Sequence, residues 1–239
     1  MTITTKILND AQKEYDFFET PKEHAEYIYE QCKTNYKLSV LDICCGLGGL
    51  SKPFYDNDHN VTLIELNITF IQHLEEHYPK ATIINKDYLK IEDIPYMDII
   101  LCNPPFNTND TPRIYMYFLI KIMATMHAQT KLFFICPQTV INHNINIEHC
   151  TDVCTKQTQY SFVDYYNIYK LYGFIDISLS NLRFNKRIIK DLIEMNIIDK
   201  CFFDDDNVIQ PYYYIKMLRK INNFKHTKVN CILMSVEKG

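Results

Sequence analysis

Short apolar runs alternate with longer amphipathic stretches along the first 137 residues of the chain. Each run is too short for a stable helix and is rich in β-branched or aromatic residues, so we predict strands, and for Ile99–Cys102 a buried one. The predicted strands are Leu38–Cys44, Val61–Ile64, Ala81–Asn85, Ile99–Cys102 and Lys131–Cys136. The predicted helices are Pro21–Cys32, Ile68–Tyr78 and 114–128. This alternation indicates an α/β fold with a parallel sheet and crossover helices on both faces.

The pattern is weaker after residue 137. We predict a helix at Asn185–Met195 and three further strands that complete the sheet with antiparallel partners. Those strands are Ile198–Phe203, Tyr212–Leu218 and Val229–Val236. The segment 138–182 is rich in Asn, Tyr and Ile without a clear period, and we interpret it as a substrate-specific insertion. A chain of 239 residues that is 47% hydrophobic can bury one full core, so we expect a single domain over 1–239.

The fourth predicted strand stops at the polar tetrad Asn103-Pro104-Pro105-Phe106. In a parallel sheet, the carboxyl ends of the strands are where ligands bind. Asn103 offers a side-chain oxygen and Pro104 a carbonyl on a stiff backbone, and two such acceptors can grip one flat NH2 group and stabilise positive charge on its nitrogen. Phe106 supplies an apolar face on which a base could stack. The alternative is an ordinary strand-to-loop turn, in which Asn and Pro are common.

A glycine turn follows the first predicted strand. Three of the five glycines fall together at Gly46, Gly48 and Gly49, between a strand and a helix, which is how nucleoside cofactors are seated. The spacing matches neither a dinucleotide fingerprint nor a phosphate-binding loop. Glu65 ends the next strand about 20 residues later and is suited to accept both hydroxyls of a ribose, or else it simply starts a surface helix.

Two further positions extend this candidate site. Asp87, after the third predicted strand, could accept a hydrogen bond from an adenine amine, with Tyr88 beside the ring. Near the amino terminus, Thr20 is the expected N-cap of a helix that has Pro21 at its first position. A capped helix start presents free N–H groups to a carboxylate, although any helix can begin in this way.

Composition narrows the partners only slightly. The net charge of −4 excludes a chain coated in basic residues, but nucleic-acid binding needs only a local positive face. Two basic groups offer such a face, or are merely solvated surface. They are Lys216, Arg219, Lys220, Lys225 and Lys228, and Arg183, Lys186, Arg187 and Lys190.

The cysteines and the apolar runs point to a reducing, aqueous compartment. Five of the nine cysteines lie in apolar strand-like runs, so we expect reduced and buried thiols. They are Cys44, Cys45, Cys102, Cys136 and Cys231. No metal site is expected, because the donors His143, His149, Cys150 and Cys154 include no Cys-x-x-Cys pair. No apolar run is long enough to span a membrane, and we expect a cytoplasmic protein without a membrane partner.

These motifs resemble the S-adenosylmethionine-dependent methyltransferases that act on exocyclic amines. They are most similar to the adenine-specific DNA methyltransferases in which the cofactor motif precedes the catalytic motif. The matching pieces are Phe18-Glu19-Thr20-Pro21, the stretch Asp42–Gly49, Glu65, Asp87 and Asn103-Pro104-Pro105-Phe106; Tyr115–Pro137 and Leu182–Leu218 are similar to later elements of the family. The resemblance implies a Rossmann-like class I methyltransferase fold, with a mainly parallel seven-stranded sheet and an N-terminal helix on the cofactor side within 15–36.

The resemblance also implies site residues and a cofactor, S-adenosylmethionine. From the N-terminal segment to the third strand end, the matched residues would hold its methionine moiety, its ribose and its adenine. The implied cofactor-binding residues are Thr20, Pro21, Asp42, Cys44, Gly46, Gly48, Glu65, Leu66, Asp87, Tyr88 and Asn103. The implied catalytic residues are Asn103, Pro104, Pro105 and Phe106.

The function implied by the resemblance is methyl transfer to the exocyclic amine of adenine in DNA, with the base flipped out of the duplex. Methylation of adenine or guanine amines in RNA is the main alternative, because the tetrad suits those enzymes equally. A catalytically silent nucleic-acid-binding subunit is a third. The chain is short for an enzyme with its own target-recognition domain, so a partner subunit could supply that recognition. Cytosine C5 methylation is disfavoured, because Cys102 precedes the prolines where that chemistry needs a cysteine after one.

Overall fold

A computed structural model describes residues 8–10, 17–137, 177–178, 186–198, 213–221 and 230–238. The chain divides into two compact units. The first comprises 1–118 with 223–228, and the second comprises 119–222 with 229–239. The expectation of a single domain over 1–239 stays a prediction.

The first unit contains a parallel four-stranded arrangement. Its strands are β1 (Ser39–Ile43), β2 (Asn60–Glu65), β3 (Thr82–Asn85) and β4 (Ile99–Cys102), and its helices are α1 (Lys22–Cys32), α2 (Lys52–Asp56) and α3 (Ile68–His77). The strand order is β3-β2-β1-β4 and every pair is parallel. The predicted parallel α/β pattern is therefore confirmed for this unit.

The strand order creates a switch point between β1 and β4. From β1 the chain proceeds outward through β2 to β3, whereas β4 lies on the other side of β1. Ile43 is paired with Ile64 of β2 and with Cys102 of β4, so the carboxyl ends of these three strands are level. Ligands of open α/β sheets bind at such a point. The glycine turn after β1 and the tetrad after β4 thus leave the sheet side by side.

Buried side chains explain why β1 and β4 form the centre of this unit. All four residues of β4 are buried, as are the last four of β1, which is the pattern of strands covered on both faces. Helix α3 contacts β2 and β3, and helix α1 contacts α2. The apolar runs that form β1 and β4 therefore lie in the interior of the unit, whereas no residue of β3 is buried.

The start of α1 differs from the prediction. The helix begins at Lys22, its N-cap is Pro21, and no side chain caps it. The predicted N-cap, Thr20, instead accepts a hydrogen bond from the side chain of Asn103. The prediction was wrong by one residue because the hydroxyl has a tertiary partner that a local capping pattern cannot reveal.

The second unit contains antiparallel strands. They are β5 (Lys131–Pro137), β6 (Ile177–Ser178), β7 (Tyr213–Ile221) and β8 (Cys231–Lys238), in the order β5-β8-β7-β6. Helix α5 spans Lys186–Glu194, and helix α4 spans Tyr115–Thr125. The Tyr213 hydroxyl donates a hydrogen bond to the Met123 carbonyl within this unit. The predicted late strands 212–218 and 229–236 are confirmed with shifted ends, and both have antiparallel partners.

Several predictions fall largely outside the described residues. The strand at 198–203, most of the insertion at 138–182 and the four alternative zinc ligands are among them. The predicted count of seven strands is not confirmed. The described residues contain eight strands, four in each unit. The helix predicted at 114–128 is confirmed with shifted ends, and its apolar residues Met116, Phe118, Leu119, Ile122 and Met123 are buried. Of the helices in the described ranges, none has the length and apolar character to cross a bilayer.

Candidate active site

A cavity lies in the first unit at the carboxyl ends of its strands. It is lined by the N-terminal segment 17–20, by the turns after β1, β2 and β3, and by the tetrad after β4. Most predicted site residues line it: Thr20, Asp42, Cys44, Glu65, Leu66, Asp87, Tyr88, Asn103, Pro104, Pro105 and Phe106. The exceptions are Pro21, which lines a neighbouring groove, and Gly46 and Gly48, whose backbone shapes the turn behind the wall.

The side-chain amide of Asn103 is held from one side. Its Nδ2 donates to the carbonyl of Phe18 at 3.1 Å and to the hydroxyl of Thr20 at 3.0 Å. A carbonyl can only accept, so the NH2 end of the amide must face Phe18 and the oxygen Oδ1 must point the other way. Asn103 lines the cavity, and its Oδ1 is the acceptor that these two hydrogen bonds leave for another partner.

The remaining tetrad residues form a rigid, mostly apolar wall. Pro104 is buried, Pro105 is half-buried, and the ring of Phe106 is 5% exposed and lies edge-on to Tyr115 at 6.1 Å between centroids. In this structure Phe106 is packed rather than presented as an open platform. The described cysteines are free, and four of the five predicted to be buried are so, whereas Cys44 is half-buried.

Two aromatic rings lie so close to the turn after β1 that only glycine fits at Gly46 and Gly48. Gly46 and Gly48 have φ angles of +57° and +78°. A Cβ at Gly46 would overlap the ring of Phe17, and one at Gly48 would lie 2.6 Å from the ring of Tyr78. The Tyr78 hydroxyl also donates to the Gly48 carbonyl at 2.9 Å. The sequence analysis missed Phe17 and Tyr78, and only the run of glycines hinted that something approaches the turn closely.

Glu65 ties the glycine turn to the end of β2. Its carboxylate accepts from the backbone N–H of Gly46 and from that of Asn67, both at 2.7 Å. Burial raises the pKa of Glu65, while these hydrogen bonds act in the opposite direction. Each oxygen already has one partner, so the ribose role predicted for Glu65 would use the lone pairs that remain.

Asp42 is a second buried carboxyl of the site, and its hydrogen bonding is poorer than that of Glu65. It is 1% exposed, and neither carboxylate oxygen makes a hydrogen bond of normal geometry within the described ranges, although Ser51 is a polar neighbour. Burial raises the pKa of Asp42 to about 7, against the effect of Ser51 and with a further increase from the charge of Glu65. A buried, unsatisfied carboxyl in a cavity wall fits a cationic ligand group, such as the ammonium of an amino acid.

The third strand end differs from its prediction in detail. Asp87 starts a 3-10 turn, Tyr88–Lys90, with its Oδ1 accepting from the Leu89 N–H at 3.0 Å. The ring of Tyr88 is 2% exposed and stacks on Phe118 with 5.9 Å between centroids. Tyr88 therefore lines the cavity with a ring that is itself packed in the core. Leu66, by contrast, is half exposed and available to a ligand. No group of three or more His, Cys, Asp or Glu in the described parts of the chain is arranged to hold a metal ion.

Comparison with known proteins identifies the family. The model of the ribosomal RNA adenine dimethylase family matches residues 9–149, which is more than half of the chain. The chain belongs to this family. A segment of 88 residues of this dimethylase-family chain is 30% identical to the ribosomal RNA small subunit methyltransferase A of Parabacteroides distasonis, and the match covers 35% of the chain and 33% of that relative. The matched segment thus spans about a third of that curated relative.

Solved structures confirm the fold. The 23S rRNA methyltransferase ErmE matches 93% of this chain and 70% of its own, with a TM-score of 0.52 and 14% identity. A structure from Vibrio vulnificus YJ016, described as a modification subunit assigned to a type I restriction enzyme, matches 98% of this chain and 47% of its own. Its TM-score is 0.54 and its identity is 15%. The dimethylase-family chain therefore has a Rossmann-like methyltransferase fold with a mostly parallel sheet flanked by helices.

Family membership bears on the expected cofactor and on the expected DNA substrate. The cofactor expected from the sequence, S-adenosylmethionine, is confirmed for this chain. A DNA substrate, the first expectation, is not supported, and the family favours the RNA alternative. The unsatisfied Asp42 and the glycine turn of this structure fit the amino-acid end of that cofactor.

Proposed function

We propose that this chain transfers a methyl group from S-adenosylmethionine to the exocyclic amine of adenine in ribosomal RNA. The family model supports the substrate, because the matching family is named for that reaction. The single structural observation that supports the chemistry is the anchoring of Asn103, a cavity-lining residue whose Nδ2 donates to Phe18 and Thr20 and so leaves Oδ1 as an acceptor.

The cofactor would be held along the turns after β1, β2 and β3. We assign Asp42 and the backbone of Gly46 and Gly48 to its amino-acid end, Glu65 and Leu66 to its ribose, and Asp87 to its adenine, with Tyr88 behind. Half-exposed Leu66 offers apolar surface, and buried Asp42 offers charge. When bound, the cofactor supplies an electrophilic methyl group. Thr20, on the N-terminal side of this cavity, and Pro21, in the neighbouring groove, were expected to contact the methionine moiety.

The acceptor amine would lie against the tetrad. The Asn103 oxygen and the Pro104 carbonyl would each accept one N–H of the amine, which draws its lone pair out of conjugation and stabilises the positive charge that develops on nitrogen. Holding the amine in this orientation also removes entropic cost from the reaction. Pro105 stiffens the loop and Phe106 forms the apolar wall beside the base. A stacking role for Phe106 would need its packed ring to expose a face.

An adenine within a helix cannot reach such a cavity. RNA-modifying proteins usually act on unpaired or extruded bases, which can be splayed out of the stack. Of the two basic groups, Arg187 and Lys190 on α5 are described and exposed, and they are candidates for contact with phosphate. Target recognition by the segment 138–182 with the basic C-terminal stretch, or by a partner subunit, remains part of the proposal.

Nucleoside mass spectrometry after incubation with labelled S-adenosylmethionine tests this function. The substrates are unmodified transcripts of small-subunit and large-subunit ribosomal RNA, single-stranded DNA, duplex DNA and a protein pool. We expect methylated adenosine in ribosomal RNA. The ratio of monomethyl to dimethyl product shows how many methyl groups each adenine receives. Label in DNA or protein alone would contradict the proposal. Cofactor binding without transfer to any pool would favour the silent subunit.

A further inference from the structure

Thr20 is joined to the tetrad rather than to its own helix. Its hydroxyl accepts from Asn103 Nδ2 at 3.0 Å, across 83 positions of sequence, and the side chain is 8% exposed. It caps nothing, since the N-cap of α1 is Pro21 without a side-chain hydrogen bond. The hydroxyl of this buried threonine at the edge of the cavity therefore binds the side-chain amide that we propose to be catalytic.

We infer that Thr20 is a positioning residue, which holds the amide of Asn103 so that its oxygen faces the acceptor amine. The inference rests on the proposed function and deepens it. It also differs from the role that the sequence implied for Thr20, which was contact with the methionine moiety of the cofactor. The two roles predict different kinetic defects.

The geometry explains why one anchor is insufficient. The Phe18 carbonyl decides which end of the amide is the NH2 group, but a single hydrogen bond leaves the amide free to rotate about it. Thr20 takes the second N–H, so both donors of the NH2 are used and the plane of the amide is fixed. Both anchors come from the segment 17–20, which therefore sets the orientation of a side chain at the end of β4.

Loss of the Thr20 hydroxyl should loosen this amide without touching the cofactor. In Thr20→Val, which keeps the shape of the side chain, one half-buried N–H of Asn103 loses its partner. A displacement of about 1 Å at a reacting group can cost about a hundredfold in rate. Since the Phe18 carbonyl remains, we expect the methyl-transfer rate to fall about tenfold or more, and Thr20→Ser to restore it to within about threefold of wild type.

Single-turnover methyl transfer to a small-subunit ribosomal RNA transcript, at saturating S-adenosylmethionine, separates the two roles. Calorimetry gives the cofactor affinity of each variant, and Thr82→Val, on exposed β3, is the matched control. The inference expects a slower transfer in Thr20→Val with cofactor affinity within about twofold of wild type. Weaker cofactor binding with an unchanged saturated rate would overturn it, and so would a Thr20→Val enzyme equal to wild type in both.

A second pair of variants protects the test against misfolding. If Thr20→Val melts well below wild type, Thr20→Ser and Thr20→Ala make the same comparison, because both lack the methyl group and only serine keeps the hydroxyl. Serine must then exceed alanine in transfer rate, and equal rates reject the inference. Failure of the proposed function is distinct: in that case the wild-type enzyme itself methylates no ribosomal RNA.

Discussion

Two buried carboxyls at neighbouring strand ends behave in opposite ways. Glu65, at the end of β2, accepts two backbone N–H groups at 2.7 Å and ties the glycine turn to its strand. Asp42, near the end of β1, is equally buried but makes no hydrogen bond of normal geometry in the described residues. The satisfied carboxylate stabilises the fold of the site. The unsatisfied one costs stability until a cationic ligand arrives.

The largest expected effect comes from Asp42→Asn. Removing a buried charge that pairs with the ligand ammonium should weaken S-adenosylmethionine binding by about a hundredfold at pH 8, since a hydrogen bond to a charged group contributes about 1.5–3 kcal/mol. The same change should stabilise the free protein at that pH, because it removes the unsatisfied charge. Calorimetry and urea unfolding measure the two effects. Unchanged affinity, or a loss of stability at pH 8, would contradict this view of Asp42.

Glu65→Gln should act in the opposite direction on stability. The glutamine has only one acceptor oxygen. Its NH2 group would therefore face the N–H of either Gly46 or Asn67, and that buried N–H would lose its hydrogen-bond acceptor. We expect the free energy of unfolding to fall by about 1–3 kcal/mol. Urea unfolding without cofactor measures the change, beside Glu75→Gln on exposed α3 as the control. If Glu65→Gln were as stable as wild type, the proposed contrast between the two carboxyls would be lost.

The pH dependence of the wild-type protein gives a smaller effect of the same origin. Burial raises the pKa of Asp42 from 3.8 to about 7, so the folded state binds an extra proton between those values and the free energy of unfolding falls as pH rises through that window. Cofactor binding should show the reverse, because only the ionised carboxyl pairs with an ammonium group. We expect affinity to drop up to about tenfold for each pH unit below 7.

Calorimetry of wild type and Asp42→Asn between pH 5.5 and 8 checks this dependence. The asparagine variant should bind weakly and with little change across the range. A wild-type affinity that does not depend on pH would mean that Asp42 stays ionised in the free protein, despite its burial.

The positions of the site residues were predictable because topology brings them together. Residues that follow parallel strands must meet at one edge, so Asp42, Glu65, Asp87 and Asn103 could be placed without knowledge of any side-chain contact. The level register of β1, β2 and β4 bears out that reasoning. The tetrad alone left RNA and DNA open, and the family match supports the RNA substrate that we propose.

What the sequence did not reveal are partners that become neighbours only in three dimensions. Phe17 and Tyr78 crowd the glycine turn from distant parts of the chain, and nothing in their local pattern marks them. Thr20 followed by a proline is typical of a helix cap, and only the fold shows that Asn103 takes its hydroxyl. Glu65 was expected to face a ligand alone, whereas backbone N–H groups already use both of its oxygens.

The most direct test of the central claim is the Asn103→Ala variant in single-turnover transfer to ribosomal RNA. Because Asn103 is proposed to touch the acceptor amine through Oδ1, the rate should fall by about a hundredfold or more, while the affinity for S-adenosylmethionine stays within about twofold of wild type. Asn35→Ala, at an exposed bend, is the control and should match wild type. Transfer at the wild-type rate by Asn103→Ala would contradict the account.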